Sequence, residues 1–360
     1  MKVGGVPYRS VWRDADRVAI IDQTRLPFEF STLRLSGCDE IAHAIRSMQV
    51  RGAPLIGATA AYGIALAMAA DAADSSLKLA AELLGNTRPT AVNLRWAIER
   101  MTRRLQTIPP SARADAAWQE AEKIADEDIA FNLSIGRHGL DVLREIAKRK
   151  GKVNVLTHCN AGWLATVDIG TALAPVYLAH DSGIPVHVWV DETRPRNQGV
   201  LTAWELSQHG VPNTLVADNA GGHLMQRAQV DIVMVGADRV TANGDVCNKI
   251  GTYLKALAAK DCGIPFYAAV PSPTIDWKIA DALRDIPIEE RGGEELLVVR
   301  GRHTADQRVA QVRIAADGAV AANPAFDVTP ARLVTAIITD LGIATATRKG
   351  LDKLYGRKVA

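Results

Sequence analysis

The sequence predicts an α/β protein with a short β-rich start, a helical stretch, and then a parallel sheet built from βαβ units. Three observations carry this. After Gly151, short β-rich runs alternate with helical ones, the pattern of strands joined by crossover helices. Between Asp39 and Lys150 the apolar residues recur with a helical period, in segments rich in alanine. Before that, runs such as Arg17-Val18-Ala19-Ile20-Ile21-Asp22 and Phe28-Glu29-Phe30 have the β-branched and aromatic character of strands. A chain of 360 residues is long enough for two domains. We expect a mainly helical domain over 1–150, with short N-terminal strands, in close contact with an α/β catalytic domain over 151–360.

Helical segments are expected over Glu40 to Met48, Pro54 to Asp74, Thr90 to Leu105 and Ala112 to Arg149. Turn chemistry at Asn86-Thr87-Arg88-Pro89 and Pro109-Pro110-Ser111 interrupts them. The last segment ends in Lys148-Arg149-Lys150 followed by Gly151, a basic final turn and a glycine that fit a helix end as well as a domain seam. Strands follow at Val153 to Leu156, Val186 to Val190, Thr214 to Ala217, Ile232 to Val235 and Phe266 to Val270, with helices from about Ala165, Val200, Gly221 and Lys249. No repeat or coiled-coil heptad is visible. Neither a G-x-G-x-x-G fingerprint nor a Walker A loop follows the first parallel strand, which argues against the usual nicotinamide and nucleotide-triphosphate enzymes.

Composition narrows the ligand. Lys and Arg total 42 against 40 Asp and Glu, so there is no basic excess of the kind that nucleic-acid or anionic-membrane binding needs. The expected partner is a small molecule. Cys38, Cys159, Cys247 and Cys262 are too widely spaced for a disulfide framework or a zinc knuckle, and Met1 to Pro7 lack an apolar signal core, so a cytoplasmic location is expected. The uncharged run from Gly52 to Ala70 approaches the ~20 residues that span a bilayer. Its small residues, Pro54 near its start, and Asp71 and Asp74 at its end fit a tightly packed interior helix better.

The most informative stretch is Thr157-His158-Cys159-Asn160-Ala161-Gly162, which places a thiol where a buried strand ends. In open α/β sheets, ligands bind beyond the carboxyl ends of the strands. A second strand ends similarly, at Val235 before Gly236-Ala237-Asp238-Arg239, so two strands can aim Cys159 and Asp238 at one pocket. A cysteine is also a common apolar filler. Three further places suit an anion. Arg51-Gly52-Ala53-Pro54 sets a guanidinium and free N–H groups at a helix start, Arg88-Pro89-Thr90 offers an arginine before a helix cap, and Asn248-Lys249-Ile250-Gly251-Thr252 looks like a helix opening at which Lys249 and the amides share a phosphate. Together they suggest a phosphorylated small molecule. The charged run Asp191 to Arg196 either lines the pocket or forms a surface loop, and Gln198 beyond it can serve a sugar hydroxyl. The histidines show no metal-ligand spacing, and no metal is expected.

These residues closely resemble the methylthioribose-1-phosphate isomerase family. The matching text is Arg51 to Pro54, Arg88 to Leu94, Thr157 to Gly162, Asp191 to Pro195, Gln198-Gly199, Gly236 to Arg239, Asn248 to Thr252 and Asn323 to Pro330, spread over nearly the whole chain. The resemblance implies an aldose-ketose isomerase that converts 5-methylthioribose 1-phosphate to 5-methylthioribulose 1-phosphate in methionine salvage. It also implies a Rossmann-like C-terminal domain, a homodimer and no cofactor. Residue by residue, Cys159 and Asp238 resemble the catalytic pair, and Arg51, Gly52, Ala53, Arg88, Gln198, Asn248 and Lys249 resemble the substrate contacts. Trp163 departs from the smaller residue common at that place.

The implied chemistry suits these residue types. The phosphate blocks the anomeric oxygen, so ring opening needs an acid at the ring oxygen, a role for an Asp238 that keeps its proton in an apolar pocket. The C2 hydrogen then reaches C1, through an enolate with a base such as Cys159 or as a hydride; the sequence leaves both open. Two other readings stand beside this one: isomerases of ribose 1,5-bisphosphate or another 5-deoxypentose 1-phosphate, the bisphosphate needing one more cationic contact, and the non-catalytic regulatory subunits of a translation-initiation exchange factor.

Overall fold

The structure is a computed structural model and describes residues 1–88 and 91–357. Five strands open the chain: β1 (Lys2–Val3), β2 (Val6–Pro7), β3 (Val11–Asp14), β4 (Arg17–Ile21) and β5 (Thr32–Leu35). The first two form a hairpin, and the other three an antiparallel sheet. Helices α1 (Cys38–Arg46), α2 (Ala53–Ala70), α3 (Asp74–Gly85), α4 (Val92–Leu105) and α5 (Pro110–Lys150) follow. The helix α4 buries Leu94, Ala97, Ile98, Met101 and Leu105, a stripe at helical spacing. By contrast α2 is buried on nearly every side, which is why it carries no charge. Among the described residues it is the one helix long and apolar enough to cross a membrane, and it serves here as the centre of a core instead. Gly151 ends α5 in the left-handed conformation, φ 75°, and returns its N–H to Ala147. The expected cap Thr90, with Pro89, lies outside the described residues.

Beyond α5 come β6 (Val153–Thr157), α6 (Ala174–Asp181), β7 (Val186–Asp191), α7 (Gln198–His209), β8 (Asn213–Val216), α8 (Ala220–Gln226) and β9 (Ile232–Val235). The chain continues through β10 (Arg239–Thr241), β11 (Val246–Lys249), α9 (Thr252–Asp261), β12 (Phe266–Ala269), β13 (Ile275–Asp276), α10 (Ala282–Asp285), α11 (Glu294–Leu297), β14 (Val298–Arg302) and β15 (Val309–Arg313). It closes with β16 (Phe326–Thr329), β17 (Ala336–Thr339), β18 (Gly342–Ala344) and α12 (Arg348–Leu354). The main sheet has the order β18-β17-β12-β9-β6-β7-β8 and is parallel apart from β18. From β6 the chain winds outward to β7 and β8, then returns to β9 and winds the other way. The reversal lies between β6 and β9, where a doubly wound sheet opens its ligand crevice. The fold is therefore mixed α/β, as expected.

Three local expectations fail. Phe28, Glu29 and Phe30 form no strand and lie in the connection between β4 and β5, at the end of a turn. No α-helix starts at Ala165: a single 3₁₀ turn, Trp163–Ala165, gives way to irregular chain until α6. The backbone there bonds back on itself, with Thr171 N–H donating to Ala161 O at 3.0 Å and Gly170 at φ 88°. Nor does Lys249 open a helix. Asn248 and Lys249 lie in β11, paired with Asp327 and Phe326 of β16, in a second sheet of order β13-β10-β11-β16.

Candidate active site

Strand β6 delivers Cys159 in a left-handed backbone conformation, φ 69°. Such a backbone persists only where its surroundings hold it, and two threonines do so. The Cys159 N–H donates to Thr193 Oγ1 at 2.9 Å, and the Cys159 carbonyl accepts from Thr202 Oγ1 at 2.8 Å. Thr193 is itself fixed, since Asp218 accepts its N–H at 2.7 Å and that of Arg194 at 2.8 Å. The run Asp191 to Arg196 thus supports the thiol from behind and does not line its cavity. Asp191 is fully buried and accepts from His158 Nδ1 at 2.9 Å, while His158 Nε2 faces Ile250 O at 2.8 Å. His158, Asp191 and Asp218 lie close enough to share a cation, but the Lys255 ammonium already stands 3.3 Å from Asp191.

One cavity of ≈ 70 Å³ collects the implied catalytic pair and all the implied substrate contacts: Cys159 and Asp238, Arg51, Gly52 and Ala53, Arg88, Gln198, Asn248 and Lys249. Asp238 follows β9, and its N–H donates to Cys247 O at 3.0 Å. Burial pushes its carboxyl above the usual range, against the pull of Lys249, Arg88, Arg291 and Arg51. Lys249 is buried, donates to Ala325 O at 2.8 Å and stands 4.3 Å from the centre of the Phe326 ring. Burial and then Arg291 lower it to about 8, with Cys159 and Asp238 acting the other way.

The cationic wall is built by long-range contacts. Arg51 donates to Asn160 Oδ1 at 2.6 Å and to Asn160 O at 3.1 Å. Gly52, at φ 96°, turns the chain into α2, and a Cβ there would stand 2.4 Å from Ala165 O. No other residue type fits that turn without moving the loop. The start of the 18-residue helix α2 therefore faces the cavity, its first amides beside Arg51. Arg88 reaches Glu289 at 3.2 Å, and Arg291 reaches the same carboxylate at 3.0 Å.

The helix start at α9 is not available to a ligand in the way expected. Its entering amides are taken by Asp327, which accepts from Gly251 N–H at 2.7 Å and Tyr253 N–H at 3.1 Å. Asn248 and Lys249 instead reach the cavity from the strand.

Comparison with known proteins identifies the family. A model of the Initiation factor 2 subunit family matches residues 49–346. The methylthioribose-1-phosphate isomerase of Methylorubrum extorquens is 62% identical over 359 residues, 99% of this chain and 98% of that protein. The chain belongs to the methylthioribose-1-phosphate isomerase family. The crystal structure of 5-methylthioribose 1-phosphate isomerase from Pyrococcus horikoshii OT3 superposes with a TM-score of 0.84 at 43% identity, covering 97% of this chain and 96% of that one. The crystal structure of translation initiation factor eIF-2B, subunit delta, from A. fulgidus superposes with a TM-score of 0.80 at 41% identity, covering 97% and 100%.

Some cavity residues of this family member escaped the sequence reading. Arg291 follows no strand end, so nothing local marked it. Asn160 and Phe326 stood inside matched motifs without a role, and Met48, just beyond the end of α1, also lines the cavity. Among the described residues, the buried Gln198 Oε1 has no hydrogen-bond partner.

Proposed function

We propose that this chain converts 5-methylthioribose 1-phosphate to 5-methylthioribulose 1-phosphate, as a step of methionine salvage. The observation that carries the reading is the shared cavity at the β6 and β9 strand ends, where a thiol and a carboxyl of raised affinity for its proton face a wall of Arg51, Arg88, Lys249 and Arg291. The phosphate sits against Arg51, Lys249 and the first amides of α2, with Arg88 near, and Gln198 and Asn248 bond the sugar hydroxyls. Asp238 gives its proton to the ring oxygen as the bond from that oxygen to C1 breaks. The C2 hydrogen then moves to C1, as a proton taken and returned by Cys159 or as a hydride. The 2-hydroxyl loses its proton as the ketone forms, which restores the acid. No cofactor takes part in this scheme. Purified protein incubated with 5-methylthioribose 1-phosphate should show the ketose carbonyl by ¹³C NMR; absence of that signal overturns the reading.

The bisphosphate alternative gains one observation, since Arg291 is an added cation. That cation already bonds Glu289, whose carboxyl burial raises but Arg88 and Arg291 hold below the usual range. A second phosphate would compete with it, so ribose 1,5-bisphosphate in the same assay should turn over more slowly. A purely regulatory role leaves the thiol and the raised carboxyl without work.

We further propose two domains, a helical one over 1–150 and a Rossmann-like one over 151–360, in a cytoplasmic homodimer. One core gathers β3 to β5 with α1 to α4 and the first half of α5, and another gathers the second half of α5 with β6 and β7. This distribution favours a seam within α5, upstream of the boundary at Lys150, with the end of that helix packing on the second domain. Four free cysteines suit a reducing compartment. The Ala- and Gly-rich helix α2 offers no subunit contact, because it is covered within its own chain. The homodimer then rests on the family resemblance alone, and light scattering should give twice the 38.7 kDa chain mass.

A further inference from the structure

Glu205 lies on α7, away from the cavity lining, and is completely buried. A carboxyl in that position is costly unless its oxygens are used. Both are: Glu205 Oε1 accepts from Asn160 Nδ2 at 2.7 Å, and Oε2 accepts from Leu164 N–H at 3.1 Å. The chain makes room for it, since a Cβ on Gly162 would stand 1.7 Å from Glu205 Oε1. Thr202, one helical turn earlier, receives the other Asn160 N–H at 3.1 Å. Both donors of the Asn160 amide are therefore committed to α7. That fixes the opposite end, Oδ1, toward the Arg51 guanidinium at 2.6 Å. Reversing the amide would set its NH₂ against a cation.

We propose that Glu205 is a positioning residue for substrate phosphate, holding Arg51 in place through the Asn160 side chain. The proposal rests on the reading of Arg51 as a phosphate contact. A residue present for packing alone could as well be apolar, because exchanging a buried hydrogen-bonded polar group for a well-packed apolar side chain is often close to neutral in stability. Burial raises the Glu205 carboxyl to about 8, with the Leu164 and Asn160 hydrogen bonds and Arg51 pulling the other way. The group is thus kept there against its own solvation.

Glu205→Gln keeps the shape and replaces one acceptor by an NH₂ that must face either Leu164 N–H or the Asn160 amide. Steady-state kinetics on 5-methylthioribose 1-phosphate should show KM raised roughly tenfold with kcat changed less than about threefold. The Ki of inorganic phosphate should rise in parallel. Asn160→Ala cuts the same link one bond later and should give the same KM effect, which keeps the test open if the glutamine variant folds poorly. Arg51→Met is the control for the underlying reading: it should raise KM by itself, and adding Glu205→Gln to it should change KM no further. A Glu205→Gln enzyme with a lower Tm and unchanged KM overturns the proposal, as do additive effects in the double variant. If Arg51→Met leaves KM unchanged while turnover persists, the phosphate assignment of Arg51 fails, and the proposal with it, although the isomerase reading survives.

Discussion

The two ends of the cavity are built differently. At the cationic end each side chain is already held: Arg51 by Asn160, Arg88 and Arg291 by Glu289, and Lys249 by Ala325 O. At the other end the backbone is held and the reacting group is not. Cys159 is pinned through its N–H and carbonyl, yet among the described residues neither its thiol nor the Asp238 carboxyl has a side-chain hydrogen-bond partner. The difference fits the tasks. A phosphate needs a rigid, pre-set field of charge, which costs no reorganisation on binding, whereas a group that exchanges protons must stay available to the substrate.

The sharpest break of this comparison is at the reacting end. Cys159→Ala and Asp238→Asn should each lower kcat by roughly 10²–10⁴-fold while the thermal melt stays close to wild type. Near-normal turnover with a lowered Tm would make Cys159 a packing residue after all. At the held end the loss should be in binding. Lys249→Met should raise KM by roughly ten- to a hundredfold, because a buried charge-assisted contact is removed.

Acidity separates the ends further. The Lys249 ammonium is lowered to about 8, so KM should climb as pH rises through that value and the cation is lost, and Lys249→Met should flatten the climb. Asp238 acts as an acid with its proton bound, so kcat should fall as pH rises through its raised value, and Asp238→Asn should remove that limb. Initial rates at saturating and limiting substrate from pH 4 to 10 separate the two.

The smallest effect belongs to a buried carboxyl outside the cavity. Burial raises Asp128 to about 7, although it accepts from Val167 N–H at 2.8 Å and Asn132 Nδ2 at 3.1 Å. The folded state therefore keeps a proton that the unfolded chain has released. Its contribution is fully present below the ordinary carboxylate value and is lost as pH rises through about 7. Melts should show Tm falling from about pH 4 to about pH 7, and less steeply in Asp128→Asn. An unchanged slope in that variant would assign the fall to other groups.

Much of the site was readable because strand-end chemistry is local. Val153 to Thr157 and Ile232 to Val235 are short apolar runs ending in turn chemistry, so the sites of Cys159 and Asp238 followed from pattern alone. The Arg51-Gly52-Ala53-Pro54 helix start followed similarly. The elements after Phe266 were less visible. The strands β13 to β18 are two to five residues long and are set by their partners more than by their own pattern. At Asn248-Lys249-Ile250-Gly251-Thr252 the glycine and threonine do mark a helix start, but only from Thr252 onward.

What the amino-acid order determined by itself was the class of fold, the two strand ends that carry the thiol and the acid, and the supply of cations for an anion. These depend on periodicity and turn residues within a few positions. Tertiary structure alone decided that Asn248 and Lys249 extend a strand, because pairing with Asp327 and Phe326 outweighs the local helix signal. It alone joined Arg51 to Asn160 across 109 positions and Arg88 to Glu289 across 201. Contacts that far apart in sequence depend on the packing of the whole chain, so a local pattern carries no record of them.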